Sequence, residues 1–253
     1  MPSTDHHQLE QLASTIASLR SGKYSDFTIR CSDGALIRVH RAIVCPRSQV
    51  LSAAVDGAFK EALSQEIFLE EDEPLIVAKM IDFLYCLDYD DHRLDAGFQG
   101  TESIPAVDET AAAEPPTGLN ASSLLVNAKT YIIADKYNIQ SLKEWAVTKY
   151  KEVVPATWNS ASFVESARLI FENTPESDRM LREIIIRKAS ENVKALFDRS
   201  EFVTLLQGHG DFTMEVLRDV VFNPPDDVRL QEVELDFSWG CVTTKKDKRK
   251  SRF

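Results

Sequence analysis

The chain has 253 residues, 43% of them hydrophobic, and a formal net charge of -11 from 40 acidic and 29 basic side chains. That is enough apolar material for one large domain or two small ones. The acidic balance argues against a global nucleic-acid binder, because phosphate contacts are made by Lys and Arg. Leu9, Leu12, Ile16 and Leu19 recur at three and four residues, which predicts a short amphipathic helix ended near Gly22. Phe27, Ile29 and Cys31 alternate with polar residues, Asp33-Gly34 supplies a turn, and Leu36 alternates with Arg38, so two strands are expected here. Pro46 suits the first turn of a helix carrying Val50, Leu51, Ala54 and Val55, broken at Gly57. A short strand follows at Ile67 to Leu69, and Pro74 opens a helix with Val77, Met80, Ile81 and Leu84 on one face.

From Asp88 to Asn120 the pattern stops: eight Asp or Glu, one Arg and three prolines predict a disordered acidic insertion at about 88–120. Helical spacing resumes at Leu124, Leu125, Ala128, Tyr131 and Ile132, then at Leu142, Trp145 and Ala146, with Pro155 as the expected end. Phe163, Val164, Ala167, Ile170 and Phe171 form the buried face of a further helix. Leu181 to Phe197 reads as another, and two shorter helices are expected over Glu201–Leu206 and Thr213–Val221. Asn223-Pro224-Pro225 is a stop; beyond it Val233, Leu235 and Phe237 alternate as in a strand, and the last nine residues, KKDKRKSRF, are basic.

The stretch HRAIVCPRSQVL, His40 to Leu51, gathers the residue types of a catalytic or metal site. A nucleophile needs a base that a third group orients, and no such arrangement accompanies Cys45 and His40. No catalytic residue, metal ligand or cofactor motif is therefore assigned, and no enzyme activity is expected. The four cysteines, Cys31, Cys45, Cys86 and Cys241, contain no CxxC pair. The expected roles are structural: His40 and Ser48 satisfying backbone groups at a buried junction, and Cys45 as a small core residue. Gly208-His209-Gly210-Asp211 reads as a loop between helices. No apolar run reaches the ~18 residues of a membrane span, and Asp5 and Glu10 interrupt the start where a signal peptide would be apolar. An intracellular protein of the cytoplasm, the nucleus or both is expected.

Two strands, a helix, a strand, a helix and a helical pair is the element order of the BTB/POZ domain. YSDFTIRCSDGALIRVHRAIVCPRSQVL resembles that family's opening, MIDFLYCLDY its middle helix, and AKTYIIADKYNIQSLKEWA its closing helical pair. The organisation resembles fungal BTB-domain proteins. The resemblance implies an α+β fold: a small sheet with a helical cluster, followed by an all-α extension. It implies an N-terminal dimerisation helix over 1–22, a BTB/POZ domain over 23–153 interrupted by the acidic insertion, a helical extension over 154–223, and a C-terminal segment with the basic tail over 224–253. It also implies homodimerisation through Leu9, Leu12, Ile16 and Leu19, and a charged pair of Asp26 and Arg41. Phe59-Lys60-Glu61 fits the hydrophobic-x-Glu pattern of BTB domains that bind a cullin scaffold, and Tyr85 matches an aromatic on the same face.

The implied function is a homodimeric substrate adaptor of a cullin-type ubiquitin ligase. Its target would be held by the C-terminal helices. The alternative is a self-associating scaffold or transcription co-regulator using the basic tail for nuclear entry. Neither reading asks for a membrane or for direct nucleic-acid binding.

Overall fold

The computed structural model describes residues 4–56, 64–92 and 121–223, residues 4–10 by backbone alone. Helix α1 runs Thr4–Arg20. It is followed by strands β1 (Phe27–Cys31) and β2 (Leu36–Val39). In β1, Phe27, Ile29 and Cys31 are buried and Arg30 faces out; in β2, Ile37 and Val39 are buried while Leu36 and Arg38 share the outer face, which corrects the expected alternation of Leu36 with Arg38. Gly34 takes φ +86° in the turn, where a side chain is disfavoured, and the Asp33 carboxylate accepts the Ala35 N–H at 2.9 Å.

Helix α2 (Arg41–Val44), a 3-10 turn (Cys45–Arg47) and helix α3 (Gln49–Asp56) come next. The single helix expected from Pro46 is therefore corrected. Pro46 belongs to the 3-10 turn, and Ser48, extended at φ -139°, breaks the path before α3 starts. Strand β3 (Glu66–Leu69) pairs parallel to β1, with Ile29 opposite Ile67, and β1 pairs antiparallel to β2, with Ile29 opposite Ile37. The three-stranded sheet has the order β2-β1-β3. Helix α4 (Pro74–Cys86) lies beneath it, apolar nearly all round, and ends where Leu87 turns left-handed at φ 60°.

Helices α5 (Ser122–Lys136) and α6 (Gln140–Thr157) form a hairpin through Asn138, at φ 50°. The hairpin is a wall between two cores. Val126, Ile133, Ala134, Tyr137 and Leu142 join the core of the sheet and α4. Leu124, Ala128, Tyr131, Ala146 and Tyr150 join a second core, built with α7 (Ala161–Asn173), α8 (Arg179–Glu191), α9 (Val193–Leu196), α10 (Ser200–Gly208) and α11 (Gly210–Phe222). Ser160 caps α7 by accepting the Phe163 N–H at 3.2 Å. This is the expected α+β domain with an all-α region after it.

Three boundaries differ from the sequence reading. Helix α6 passes through Pro155 to Thr157; the proline is exposed near the helix end, where water can satisfy the carbonyl it leaves open. The helix read from Leu181 to Phe197 is broken at Asn192, whose side chain turns back to the Lys188 carbonyl at 2.9 Å. The acidic stretch does not begin as an unstructured loop at Asp88. Trp145 Nε1 donates to Asp88 Oδ1 at 2.8 Å, and Lys149 lies 3.0 Å from the same oxygen. Tyr89 is buried and donates to Asn127 Oδ1 at 2.7 Å, and Asn127 donates to the buried Asp91 at 2.9 Å. Acidity alone predicted a solvated run, whereas three partners on α5 and α6 bind its first residues into the fold. The rest of the acidic stretch, 93–120, and the strand expected at Val233 lie outside the described residues.

Candidate interaction surface

His40 stands where β2 gives way to α2, and both ring nitrogens are engaged. Nε2 lies 2.8 Å from the Lys23 carbonyl, which can only accept, so Nε2 carries the proton. Nδ1 then accepts from the Tyr85 hydroxyl at 2.7 Å, and that hydroxyl accepts the His40 backbone N–H at 2.9 Å. Ser48 donates to the Tyr137 carbonyl at 2.7 Å and accepts the Leu51 N–H at 3.1 Å. Both residues thus satisfy backbone at a buried junction and stitch α2 and α3 to the far ends of the domain.

Burial pushes the Cys31 thiol up to about 11, and burial also raises Cys45 and Cys86. A raised thiol is a poorer nucleophile, because the thiolate is the reactive form. His209 alone separates α10 from α11, so the loop expected over Gly208–Asp211 shrinks to one residue, with His209 Nε2 3.4 Å from Glu172 Oε1. Among the described residues no three His, Cys, Asp or Glu side chains are placed to hold a metal ion, and no helix is long and apolar enough to cross a membrane.

Tyr85 is only 5% exposed and its hydroxyl is spent on His40. The expectation that it stands on the surface as an aromatic anchor is corrected: α4 is buried on almost every side, and Tyr85 points into the junction. Replacing Tyr85 with Phe orphans the His40 N–H and Nδ1 together. The loss is expected to be about 2 kcal/mol, seen as a melting temperature lower by roughly 4–8 °C. An unchanged melting temperature contradicts the junction's role.

Asp26 and Arg41 meet, but not as an ion pair. The Asp26 carboxylate accepts the backbone N–H of Arg41 at 2.8 Å, capping the start of α2. The Arg41 guanidinium reaches instead to Asp56 at 2.9 Å and the Val55 carbonyl at 3.4 Å. It therefore holds the end of α3, the last described turn before residues 57–63. Phe59 and Glu61 lie in that stretch, outside the described residues.

On α1 the apolar stripe is divided. Ile16 and Leu19 pack against the domain's own core, while Leu12 is 60% exposed. Arg20 fixes the helix end by pairing with Asp82 of α4 at 2.7 Å. The Leu9 side chain lies outside the described residues. Ile16 and Leu19 are half-buried against that core, so the stripe serves the chain's own domain as well as turning Leu12 outward.

The sequence reading did not identify the joint between the domain and the helical region. Lys143 of α6 lies 2.7 Å from Asp178 and 2.5 Å from Asp135, and Tyr131 of α5 donates to Asp178. Burial alone would lift the Asp178 carboxyl, but the bonds from Lys143 and Tyr131 hold it below the ordinary range. No local spacing signals this joint, because its partners come from separate helices. Also unread was the outer face of α11, where Met214, Leu217, Val221 and Phe222 are exposed.

Residues 16–96 match the BTB/POZ domain family. Comparison with curated proteins gives no match. The matched stretch spans the end of α1, the whole sheet and α4. That family is one of protein–protein interaction modules.

Proposed function

We propose that this chain, which carries a BTB/POZ domain followed by a helical region, is a homodimeric substrate adaptor of a cullin-type ubiquitin ligase. The observation that carries the reading is Phe59-Lys60-Glu61, in the segment joining α3 to β3. It offers one apolar anchor beside one acceptor, the pairing in which interfaces concentrate energy. Arg41 supports it from below by holding the end of α3 through Asp56 and Val55. A cullin scaffold binds at that segment, and a protein target is held by the helices after α6. Titrating the chain with a cullin N-terminal domain tests the reading.

The second reading is a self-associating scaffold or transcription co-regulator. It is favoured by the basic run KKDKRKSRF at 245–253. Both readings use dimerisation, for which the exposed Leu12 on α1 is the support. Because Ile16 serves the chain's own core, Leu12→Asp is the cleaner probe: it puts an unpaired charge into an apolar seam without opening the domain. Light scattering at micromolar concentration is expected to show a wild-type dimer and a Leu12→Asp monomer with the same helical content. A monomeric wild type contradicts the dimer.

A further inference from the structure

The last described helix turns an apolar stripe outward. Phe212 and Val216 of α11 are buried in the second core, yet Met214, Leu217, Val221 and Phe222 are 65%, 54%, 62% and 72% exposed. The helix is thus apolar on two sides, the pattern of an element covered on both. Beside the stripe, between α8 and α11, lies a groove of about 560 Å³ lined by Arg179, Ile186, Glu215, Arg218, Asp219 and Phe222, among others. Its charges are partly answered: Arg179 pairs with Glu215 at 2.7 Å, and Asp219 accepts from Asn223 at 2.9 Å. Arg218 and Asp219 have no ion-pair partner among the described residues, so the groove carries one open charge of each sign.

We infer that this face is the docking site of the chain's own segment Val233–Trp239. Val233, Leu235, Phe237 and Trp239 alternate with Glu232, Glu234, Asp236 and Ser238. An extended segment therefore offers one apolar side to the stripe and turns its acidic side to solvent. The tether is long enough. Residues 224–232 span up to ~30 Å when extended, and the thirteen residues of α11 rise ~20 Å, so the segment can run back along the whole helix.

A second copy of the chain fits the face less well. Four side chains make a patch of roughly a few hundred Å², and two such patches fall short of the roughly 1,200–2,000 Å² of a stable interface. A tethered segment needs no such area, because a short link holds it at an effective concentration on the order of millimolar. Any partner for this face competes with the segment. The inference stands apart from the cullin reading, since it involves neither the turn at Phe59 nor α1.

The test places a benzophenone photo-crosslinker in the full chain, as Leu235→p-benzoylphenylalanine, irradiated at low micromolar concentration and mapped by mass spectrometry. Cross-links to α11 within a single chain are expected. Adding Leu217→Asp and Val221→Asp, both exposed positions, is expected to cut that yield about tenfold with the helical signal unchanged. Cross-links joining two chains through α11, cross-links elsewhere, or none overturn the inference. So does a yield that the two aspartates leave unaltered. If the double variant loses helical signal, Met214→Asp, at another exposed position of the stripe, is read in its place: a fall in yield supports the docking and no fall overturns it.

Discussion

Asp178→Asn is expected to lower the melting temperature by roughly 6–12 °C, the size that a loss of about 3 kcal/mol produces in a chain of this length. Both members of the pair are buried: the Asp178 side chain is 7% exposed and that of Lys143 11%. The amide keeps the shape and can still accept from Tyr131, but it leaves the Lys143 ammonium with Asp135 alone, itself half-exposed. Removing one partner of a buried pair costs more than the pair contributed, because the other charge stays desolvated. The damage falls on the joint between the two cores, so the transition is also expected to broaden as they melt less cooperatively.

The pH dependence of that difference follows from the signs. Asp178 is held below its ordinary value, so its contribution is present above the unfolded carboxyl value of about 3.9 and fades as pH falls through the lower folded value. Lys143 is raised: burial lowers it, but its bonds to Asp135 and Asp178 outweigh that. Its contribution is thus complete below about 10.4 and fades as pH rises through the folded value. The gap between wild type and Asp178→Asn is therefore flat from about pH 5 to 9 and narrows below about 4. A gap that grows on acidification contradicts the assignment. Thermal unfolding by circular dichroism across that range measures it.

Phe59→Ala is the second large effect, on binding. Truncating a central aromatic anchor costs roughly 2 kcal/mol or more, a fall in cullin affinity of about thirtyfold. Glu61→Ala costs less if its carboxylate sits at the rim and more if it is desolvated against a donor. The competing expectation is that Phe59 packs under its own turn. In that case Phe59→Ala lowers the melting temperature by several degrees and weakens every partner alike. Calorimetric titration and thermal unfolding of the same variant separate the two outcomes.

What the sequence disclosed follows the range of its signals. β1 and β2 were legible because period-two alternation and Asp33-Gly34 are local. The helices of the second core were legible because their buried faces repeat every three to four residues. Contacts between distant residues were not. Tyr85 meets His40 across 45 positions, and its place beside Leu84 on an all-apolar helix gave no sign of which way it turns. Asp26 and Arg41 were rightly paired in space, but the sequence does not say that the carboxylate binds the amide and the guanidinium goes to Asp56. The α1 stripe was read correctly as apolar, yet an apolar face does not declare its partner: Ile16 and Leu19 found the domain's own core. The acidic residues at 88–92 misled for the opposite reason, since composition counts charge and not the Trp145, Lys149 and Asn127 waiting on α5 and α6.

The adaptor reading is tested most directly by titrating the unmodified full chain with a cullin N-terminal domain in a calorimeter. Saturable binding with one cullin per chain is predicted, weakened about thirtyfold by Phe59→Ala with the melting temperature unchanged. Absence of any heat of binding from the wild-type chain, under conditions where it is folded and helical, contradicts the account and leaves the self-associating scaffold as the better reading.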